Sequence, residues 1–245
     1  MQVRMGLLNK KDDWSMDQFR SYWRENHSRL ASQLTGLMAY HQNHVTDTAQ
    51  RGISYKRGPE SVDGISQLWF DDSKRMDDAF SEALGKKLID DENHFIGHLR
   101  IVTATPIEVI APPPPGVALK RMSFLRRRAD VTPEVFAYEW NVRHAALVKT
   151  LPGVLGYRQN LITHRESPKG NVVDYEGLPI DGIVELWFEN ADTLNAAFSS
   201  PQGVETMQHA TTFIDEITTF LVEPDRKSTR LNSSHIQKSR MPSSA

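Results

Sequence analysis

Two histidines at matching positions in two similar segments are the strongest candidates for chemistry. Phe19, Trp23 and His27 follow one another at intervals of four residues. The same spacing recurs 117 residues later, at Phe136, Trp140 and His144. At 100° per residue each histidine lies at the edge of an apolar helical stripe that faces a sheet. Because imidazole has an ordinary pKa of about 6.5, we predict proton transfer or ligand binding by His144 and His27. Structural packing is the alternative.

The strand after each histidine carries polar side chains that could hold a ligand oxygen. Tyr40 and Asn43 lie there in the first segment, and Tyr157 and Asn160 are their counterparts. A phenol or a carboxamide can donate a hydrogen bond to a phenolate or enolate oxygen. Strand alternation places Tyr40 and Asn43 on opposite faces, but parity alone does not decide which face meets the helices. An ordinary place on an amphipathic strand is the alternative.

A third strand in each segment combines a tryptophan with a polar residue. Trp69 alternates with Gln67, and Trp187 alternates with Glu185. We predict that the tryptophans pack in the core and line a substrate pocket together with the helix aromatics. A carboxylate on a buried strand face would titrate abnormally, which makes Glu185 a candidate binding residue. An exposed strand edge would explain Glu185 equally well.

These residues belong to an internal repeat. Residues 4–46 match residues 121–163 at 14 of 43 positions without a gap, and residues 63–70 match residues 181–188 at six of eight. A repeat of this length indicates a fold that is built from two copies of one structural unit. We predict module 1 at residues 1–110, a proline-rich linker at 111–117 and module 2 at 118–224. Four consecutive prolines favour a stiff polyproline spacer.

The sequence of each module predicts the order strand, helix, strand, strand, helix, strand. Ser15 and Gln18 form a capping-box pattern, and Thr132-Pro133 is a typical helix start. The second helical region is expected to break around Gly85 and around Ser200-Pro201. This βαββαβ order predicts an α+β protein built from two ferredoxin-like modules. Each antiparallel sheet leaves one face bare, so the two copies are expected to cover each other.

Composition narrows the class of protein. The chain has 245 residues, of which 39% are hydrophobic and 24% charged, as in ordinary globular proteins. It has no apolar run of 18 residues and no apolar amino-terminal signal, so we expect a cytoplasmic protein without a membrane partner. The absence of cysteine excludes disulfides, a thiolate nucleophile and cysteine-ligated metals.

The last 21 residues differ from the rest. Residues 225–245 have no helical or strand period and resemble a translated sequencing adapter, so we predict a disordered non-native tail. Five basic residues and one acidic residue fall in it, which leaves 24 basic and 30 acidic residues in the body. Phosphate binding needs a basic surface, and we therefore expect no nucleic-acid partner.

No cofactor or metal is predicted from spacing. His41-x-x-His44 occurs once, and neither a His-Glu-x-x-His pattern nor a glycine-rich nucleotide loop is present. Ligation of haem by one of the two helix histidines stays open as an alternative. A monomer with an internal pseudo-dimer and a homodimer are both compatible with the repeat.

The order of the motifs resembles the EthD family over residues 1–224. The second copy carries Phe136, Trp140 and His144, then Leu151-Pro-Gly-Val-Leu-Gly-Tyr157, Asn160 and Glu185-Leu-Trp-Phe188. The first copy departs at Thr35, where the family has proline, and at Gln67, where it has glutamate. The resemblance implies a dimeric α+β barrel, here formed within one chain.

The resemblance also implies a broad range of activities. EthD proteins are commonly classed as oxidoreductases, and relatives of the fold include decarboxylases, quinone-forming monooxygenases and polyketide cyclases. We therefore predict a cofactor-independent oxidoreductase or tailoring enzyme that acts on a small aromatic or polyketide-like compound. A decarboxylase or cyclase, or a non-catalytic binding protein that serves an oxygenase system, is the alternative.

Overall fold

Both modules fold in the predicted order of strands and helices. The computed structural model describes residues 1–225, and the rest of the predicted tail lies outside these residues. The strands of module 1 are β1 (Gln2–Lys10), β2 (Ala39–Asp47), β3 (Gly64–Phe70) and β4 (Ile96–Ile110). Those of module 2 are β5 (Leu119–Arg127), β6 (Gly156–Glu166), β7 (Gly182–Phe188) and β8 (Ile214–Pro224).

The first helical region of each module is interrupted by a π-helical segment. In module 1, α1 (Met16–Tyr22) passes through the π segment Trp23–His27 into α2 (Ser28–Ala31). In module 2, α5 (Pro133–Tyr138) passes through the π segment Glu139–His144 into α6 (Ala145–Val148). The predicted helix starts are confirmed, since Ser15 and Gln18 form a capping box and Thr132 accepts from the Val135 N–H.

The second helical region of each module is broken. It consists of α3 (Ser73–Ser81) and α4 (Ala83–Phe95) in module 1, and of α7 (Ala191–Ser199) and α8 (Pro201–Ala210) in module 2. The break at Ser200 is where the sequence predicts it. In module 1 the break lies at Glu82, three residues before Gly85, because extended backbone at Glu82 ends α3.

The eight strands close into one barrel with the order β1-β3-β2-β8-β5-β7-β6-β4. Two antiparallel pairs join the modules: β2 with β8, and β4 with β6. Closure removes the free sheet edges that each module alone would expose. Asp225 belongs to this body rather than to the tail, because its N–H donates to the Gln42 carbonyl at 2.9 Å beside β8.

Barrel closure decides the two faces of every strand. Met5, Ile65 and Ile183 pack in the barrel interior. Gly64 instead faces the helices: a Cβ there would lie 2.3 Å from Cζ3 of Trp23, and Gly182 approaches Trp140 in the same way. The two glycines are the first residues of β3 and β7, and they make room for the indoles. No helix within residues 1–225 is long and apolar enough to cross a membrane.

Candidate active site

The π segments position the tryptophan and histidine of each module. Trp23 O accepts from the Ser28 N–H five residues ahead and from Gln42 Nε2 at 2.7 Å. Gln159 Nε2 donates to Trp140 O at 2.7 Å in the same way. An extra residue in the turn changes the direction of the side chains that follow, and such segments occur often at functional sites. The strand glutamine thus fixes the helix turn that carries the histidine.

In module 1 the histidine contacts a carboxylate directly. His27 is 5% exposed, and its Nδ1 lies 2.7 Å from Oδ2 of Asp91 on α4. Tyr22 donates to Oδ1 of the same carboxylate at 2.6 Å. Burial alone would raise the pKa of Asp91, but the hydrogen bonds from His27 and Tyr22 lower it. With a proton on Nδ1 held by Asp91, Nε2 is the basic nitrogen of His27.

In module 2 a second histidine stands between His144 and a carboxylate. His144 Nδ1 lies 3.3 Å from Nδ1 of His209 on α8, and His209 Nε2 lies 3.1 Å from Oε2 of Glu139. Burial, followed by the nearby His209, lowers the pKa of His144 to about 3. His144 is therefore neutral at pH 7. A proton received at its Nε2 can be balanced by charge on Glu139, through His209.

A tyrosine hydroxyl lies beside each tryptophan on the helix face of the sheet. Tyr40 accepts from Trp23 Nε1 at 2.9 Å and from Gln42 Nε2 at 3.0 Å. Tyr157 accepts from Gln159 Nε2 at 2.6 Å. Burial raises the pKa of both tyrosines far above the ordinary value of 10.0. Each phenol therefore keeps its proton, which it can donate to a ligand oxygen.

These side chains line one cavity between sheet and helices in each module. Cavity 1 has about 390 Å³ of space free of protein atoms, and Trp23, His27 and Tyr40 are among its lining residues. Cavity 2 has about 410 Å³, and its wall includes Trp140, His144 and Tyr157. Only about 20 Å³ of cavity 1 and about 40 Å³ of cavity 2 is open to a water molecule, far less than the roughly 300–1,000 Å³ of common ligand sites. Both cavities are narrow, so a ligand must displace flexible side chains on entry.

Four of the aromatic residues predicted for these cavities lie elsewhere. Phe19 and Phe136 pack on the tryptophans with ring centroids 5.5 Å apart and support the cavity from behind. Trp69 and Trp187 face the barrel interior, where Arg158 lies over both rings. The prediction that Trp69 and Trp187 line the same pocket as Trp23 and Trp140 is therefore wrong. Strand alternation allowed either face, and barrel closure placed them inside.

The predicted binding residues Asn43, Asn160 and Glu185 also lie in the barrel interior. Glu185 pairs with Lys120 at 2.6 Å and accepts from Gln67 at 2.9 Å and from Asn160 at 2.9 Å. Lys120 Nζ also donates to Asn43 Oδ1 at 2.8 Å. Burial alone would raise the pKa of Glu185, but Lys120 and Arg158 hold it at about 2. This network joins the two modules inside the barrel, away from the histidine cavities, although Asn160 Oδ1 has no hydrogen-bond partner among the described residues.

A loop of module 1 lines cavity 2, and a loop of module 2 contacts a residue that lines cavity 1. In the segment between β2 and β3 of module 1, Ile53 lines cavity 2 and the Arg51 carbonyl accepts from Arg121 Nη1 at 3.1 Å. In the segment between β6 and β7 of module 2, Lys169 forms an ion pair with Glu92, which lines cavity 1. Cavity 2 is therefore completed by the other module, whereas all the residues that line cavity 1 belong to module 1.

Several site residues were missed in the sequence. These are Tyr22, Asp91, Arg121, Glu139 and His209. The repeat comparison selects identical residues, whereas four of these residues stand at positions that differ between the modules: Tyr22 stands over Glu139 and Asp91 over His209. Arg121 matches Arg4. A search for titratable residues at matched positions would have found them. Within residues 1–225 no group of three or more acidic or histidine side chains could hold a metal ion. If haem were bound, Nε2 of His27 or His144 could ligate its iron, because Nδ1 of each ring already has a partner.

A comparison with models of protein families shows which family the chain belongs to. The model of the EthD domain matches residues 11–98 and 128–217, one segment in each module. The chain belongs to the EthD family. No curated protein matches the sequence significantly.

Solved structures share the fold of this EthD protein at low sequence identity. An anthrone oxidase-like protein is 8% identical with a TM-score of 0.60, covering 91% of this chain and 92% of its own. A suspected monooxygenase from Lactobacillus acidophilus NCFM is 10% identical with a TM-score of 0.57, covering 94% of this chain and 98% of its own. A similarly named protein from Fusobacterium nucleatum subsp. nucleatum is 8% identical with a TM-score of 0.59, covering 94% and 95%. These matches establish an α+β barrel.

Proposed function

We propose that this EthD protein is a cofactor-independent oxidoreductase or tailoring enzyme for a small aromatic or polyketide-like compound. His144 takes a proton from a phenol or an acidic carbon in cavity 2. The observation that carries the proposal is the hydrogen-bonded chain from His144 through His209 to Glu139 at the cavity wall. The names of the oxidase-like and monooxygenase-like neighbours support an oxidoreductase role.

The residues of cavity 2 divide the proton-transfer step among them. His144 Nε2 accepts the proton, and the positive charge that forms is balanced by Glu139 through His209. Tyr157 donates its hydroxyl proton to the substrate oxygen that becomes negative. The deprotonated substrate is then the electron donor to molecular oxygen. His27, backed by Asp91, performs the matching proton transfer in cavity 1.

A non-catalytic binding protein is the second candidate. Burial lowers the pKa of His144 to about 3, which makes it a weak base but a good neutral hydrogen-bonding group. In that role cavity 2 would hold an intermediate of an oxygenase system, and His144 would only orient it. Decarboxylation or cyclisation after the same proton transfer would yield a different product from the same site.

The test is a screen of phenols and aromatic acids with the purified full-length chain. Oxygen uptake and carbon dioxide release are measured in parallel for the wild type, His144→Ala, His27→Ala and the double variant. Compared with His27→Ala, in which only cavity 2 turns over, we expect the double variant His27→Ala/His144→Ala to lose about 10²–10⁴-fold in turnover, because that is the range of a general base, with an unchanged melting temperature. Wild-type turnover in both variants would exclude proton transfer by these histidines. A change in affinity alone would identify the binding protein.

An absorption spectrum of the purified protein comes before the screen. A Soret or flavin band would overturn the cofactor-free proposal and would make the Nε2 atoms of His27 and His144 candidate ligands. A spectrum with only the aromatic band of the protein is the expected result.

A further inference from the structure

A buried arginine at the wall of cavity 2 has no counter-charge. Arg121 is 4% exposed, and its guanidinium lies 4.3 Å from the centroid of the Phe198 ring. Its Nη1 donates to the Arg51 carbonyl, whereas its Nε–H has no acceptor among the described residues. Within residues 1–225 no carboxylate lies within 4.0 Å of this guanidinium. Burial without a nearby anion lowers the pKa of Arg121 to about 9.

A second unsatisfied polar group lies two residues further along the same strand face. Ser123 is fully buried in the wall of cavity 2, and its Oγ has no hydrogen-bond partner in the part of the chain that the structure describes. His144 lines the same cavity, and so do the aromatic rings of Trp140 and Tyr157. A cation, a hydroxyl and an imidazole therefore share one apolar cavity. Buried polar groups are normally paired, so unpaired ones at a cavity wall indicate where a ligand would bind.

The matching position in module 1 already has its anion. Arg4, the counterpart of Arg121, forms an ion pair with Glu166 at 2.9 Å. Gly6 stands in the place of Ser123, so the hydroxyl is missing there as well. In cavity 1 the protein itself supplies the carboxylate that the arginine needs. In cavity 2 that carboxylate is left to a ligand.

We propose that cavity 2 binds an aromatic compound carrying a carboxylate, and that Arg121 is the residue that recognises the carboxylate. The planar guanidinium can donate two parallel hydrogen bonds to a carboxylate, and the Ser123 hydroxyl can add a third. The aromatic part of the ligand then packs against Trp140 and Tyr157, within reach of His144. This inference rests on the proposed function only for its choice of cavity, since recognition requires no turnover.

The test compares each acid with its neutral amide of nearly equal shape. Benzoate with benzamide, and 2-naphthoate with 2-naphthamide, are titrated into the full-length wild type, Arg121→Gln, Arg121→Lys and Arg4→Gln. Binding is measured as ligand-dependent thermal stabilisation, and melting without ligand reports whether each variant folds. We expect the wild type to bind at least one acid about tenfold more tightly than its amide.

The variants assign this preference to one cavity. Arg121→Gln should abolish it, Arg121→Lys should reduce it because the flat fork is lost, and Arg4→Gln should retain it. Equal affinities for both acids and their amides in the wild type would overturn the inference. So would a preference that disappears in Arg4→Gln and persists in Arg121→Gln. If the preference follows Arg121 while the double variant His27→Ala/His144→Ala turns over normally, carboxylate recognition stands and the proton-transfer proposal fails.

Discussion

The two modules enclose cavities of the same build and treat charge in opposite ways. Beside cavity 1, Arg4 pairs with Glu166 and Lys169 pairs with Glu92, so both cations are neutralised by the protein. In cavity 2, Arg121 occupies the matching position without a carboxylate among the described residues. The two modules therefore share one backbone arrangement, but the matched arginines beside their cavities have different charge partners.

The histidines show the same divergence. In module 1 the carboxylate beside His27 comes from the second helical region, as Asp91. In module 2 that position is His209, and the carboxylate, Glu139, stands on the first helical region instead. Both arrangements keep Nδ1 of the pocket histidine occupied and leave Nε2 as the basic nitrogen. The hydrogen-bonded chain from the pocket histidine to the carboxylate, called the histidine relay below, is one residue longer in module 2.

The charged residues inside the barrel are also distributed unequally between the two modules. Module 2 contributes Lys120 and Glu185, whereas module 1 has Val3 and Gln67 at the matching positions. The amide of Gln67 meets Glu185 across the interface at 2.9 Å. A neutral amide there avoids placing a second carboxylate against the first. The two modules are thus complementary rather than interchangeable.

The largest expected effect comes from making module 2 resemble module 1 in the barrel interior. Glu185→Gln leaves the Lys120 charge buried without its anion, which should cost about 3–5 kcal/mol in the free energy of unfolding. Urea denaturation at pH 7 measures this loss. Adding Lys120→Val, which copies Val3, should recover part of it because the unpaired charge is removed. A single variant as stable as the wild type would refute the ion pair.

An intermediate effect is expected from the end of the histidine relay. Glu139→Gln can still accept from His209, but it no longer balances the positive charge that forms on the histidines. We expect turnover in the oxygen-uptake assay to fall by about tenfold to a hundredfold. Both variants are made in the His27→Ala background, where only cavity 2 turns over, and there Tyr22→Phe, at the matched position in module 1, is the control and should leave turnover unchanged. Equal losses in the two variants would contradict a separate relay in each module.

The smallest effect concerns a histidine that only module 1 has. His44 is 1% exposed, and neither ring nitrogen has a hydrogen-bond partner within residues 1–225. Module 2 has Leu161 at this position. We expect His44→Leu to raise the free energy of unfolding by about 1 kcal/mol at pH 7, because two unsatisfied buried groups are removed. Urea denaturation again measures the change.

The same variant should reduce the sensitivity of the fold to acid. Burial lowers the pKa of His44 to about 3, from 6.5 in the unfolded chain. Below pH 6.5 the unfolded state binds the proton first, so stability falls as the pH decreases toward 3. One such group contributes a slope of about 1.4 kcal/mol per pH unit within this range. Unaltered acid sensitivity in His44→Leu would show that His44 is protonated in the native state.

Much of the site followed from local patterns. The intervals between Phe19, Trp23 and His27 predicted a histidine facing the sheet, and the structure places His27 and His144 at cavity walls with Tyr40 and Tyr157. The proton-transfer role of these residues stays a prediction. The placement succeeded because helix periodicity and the matched repeat act over short stretches of chain.

The residues that complete the site could not be found in this way. Asp91 contacts His27 from 64 residues away, and His209 contacts His144 from 65 residues away. Arg121 has a cavity at its side chain only because β5 faces α8 and because the loop at Arg51 covers it. None of these contacts has a local signature, since each depends on how two distant elements pack.

The sequence by itself determined the repeat, the order of elements in each module, the helix starts and the faces of each strand relative to one another. Only the tertiary structure decided which face lies inside the barrel, and thus that Trp69, Trp187, Asn43, Asn160 and Glu185 lie away from the histidine cavities. The physical reason is that alternation has two equivalent solutions along an isolated strand. Closure of eight strands from two modules selects one solution for all of them at once.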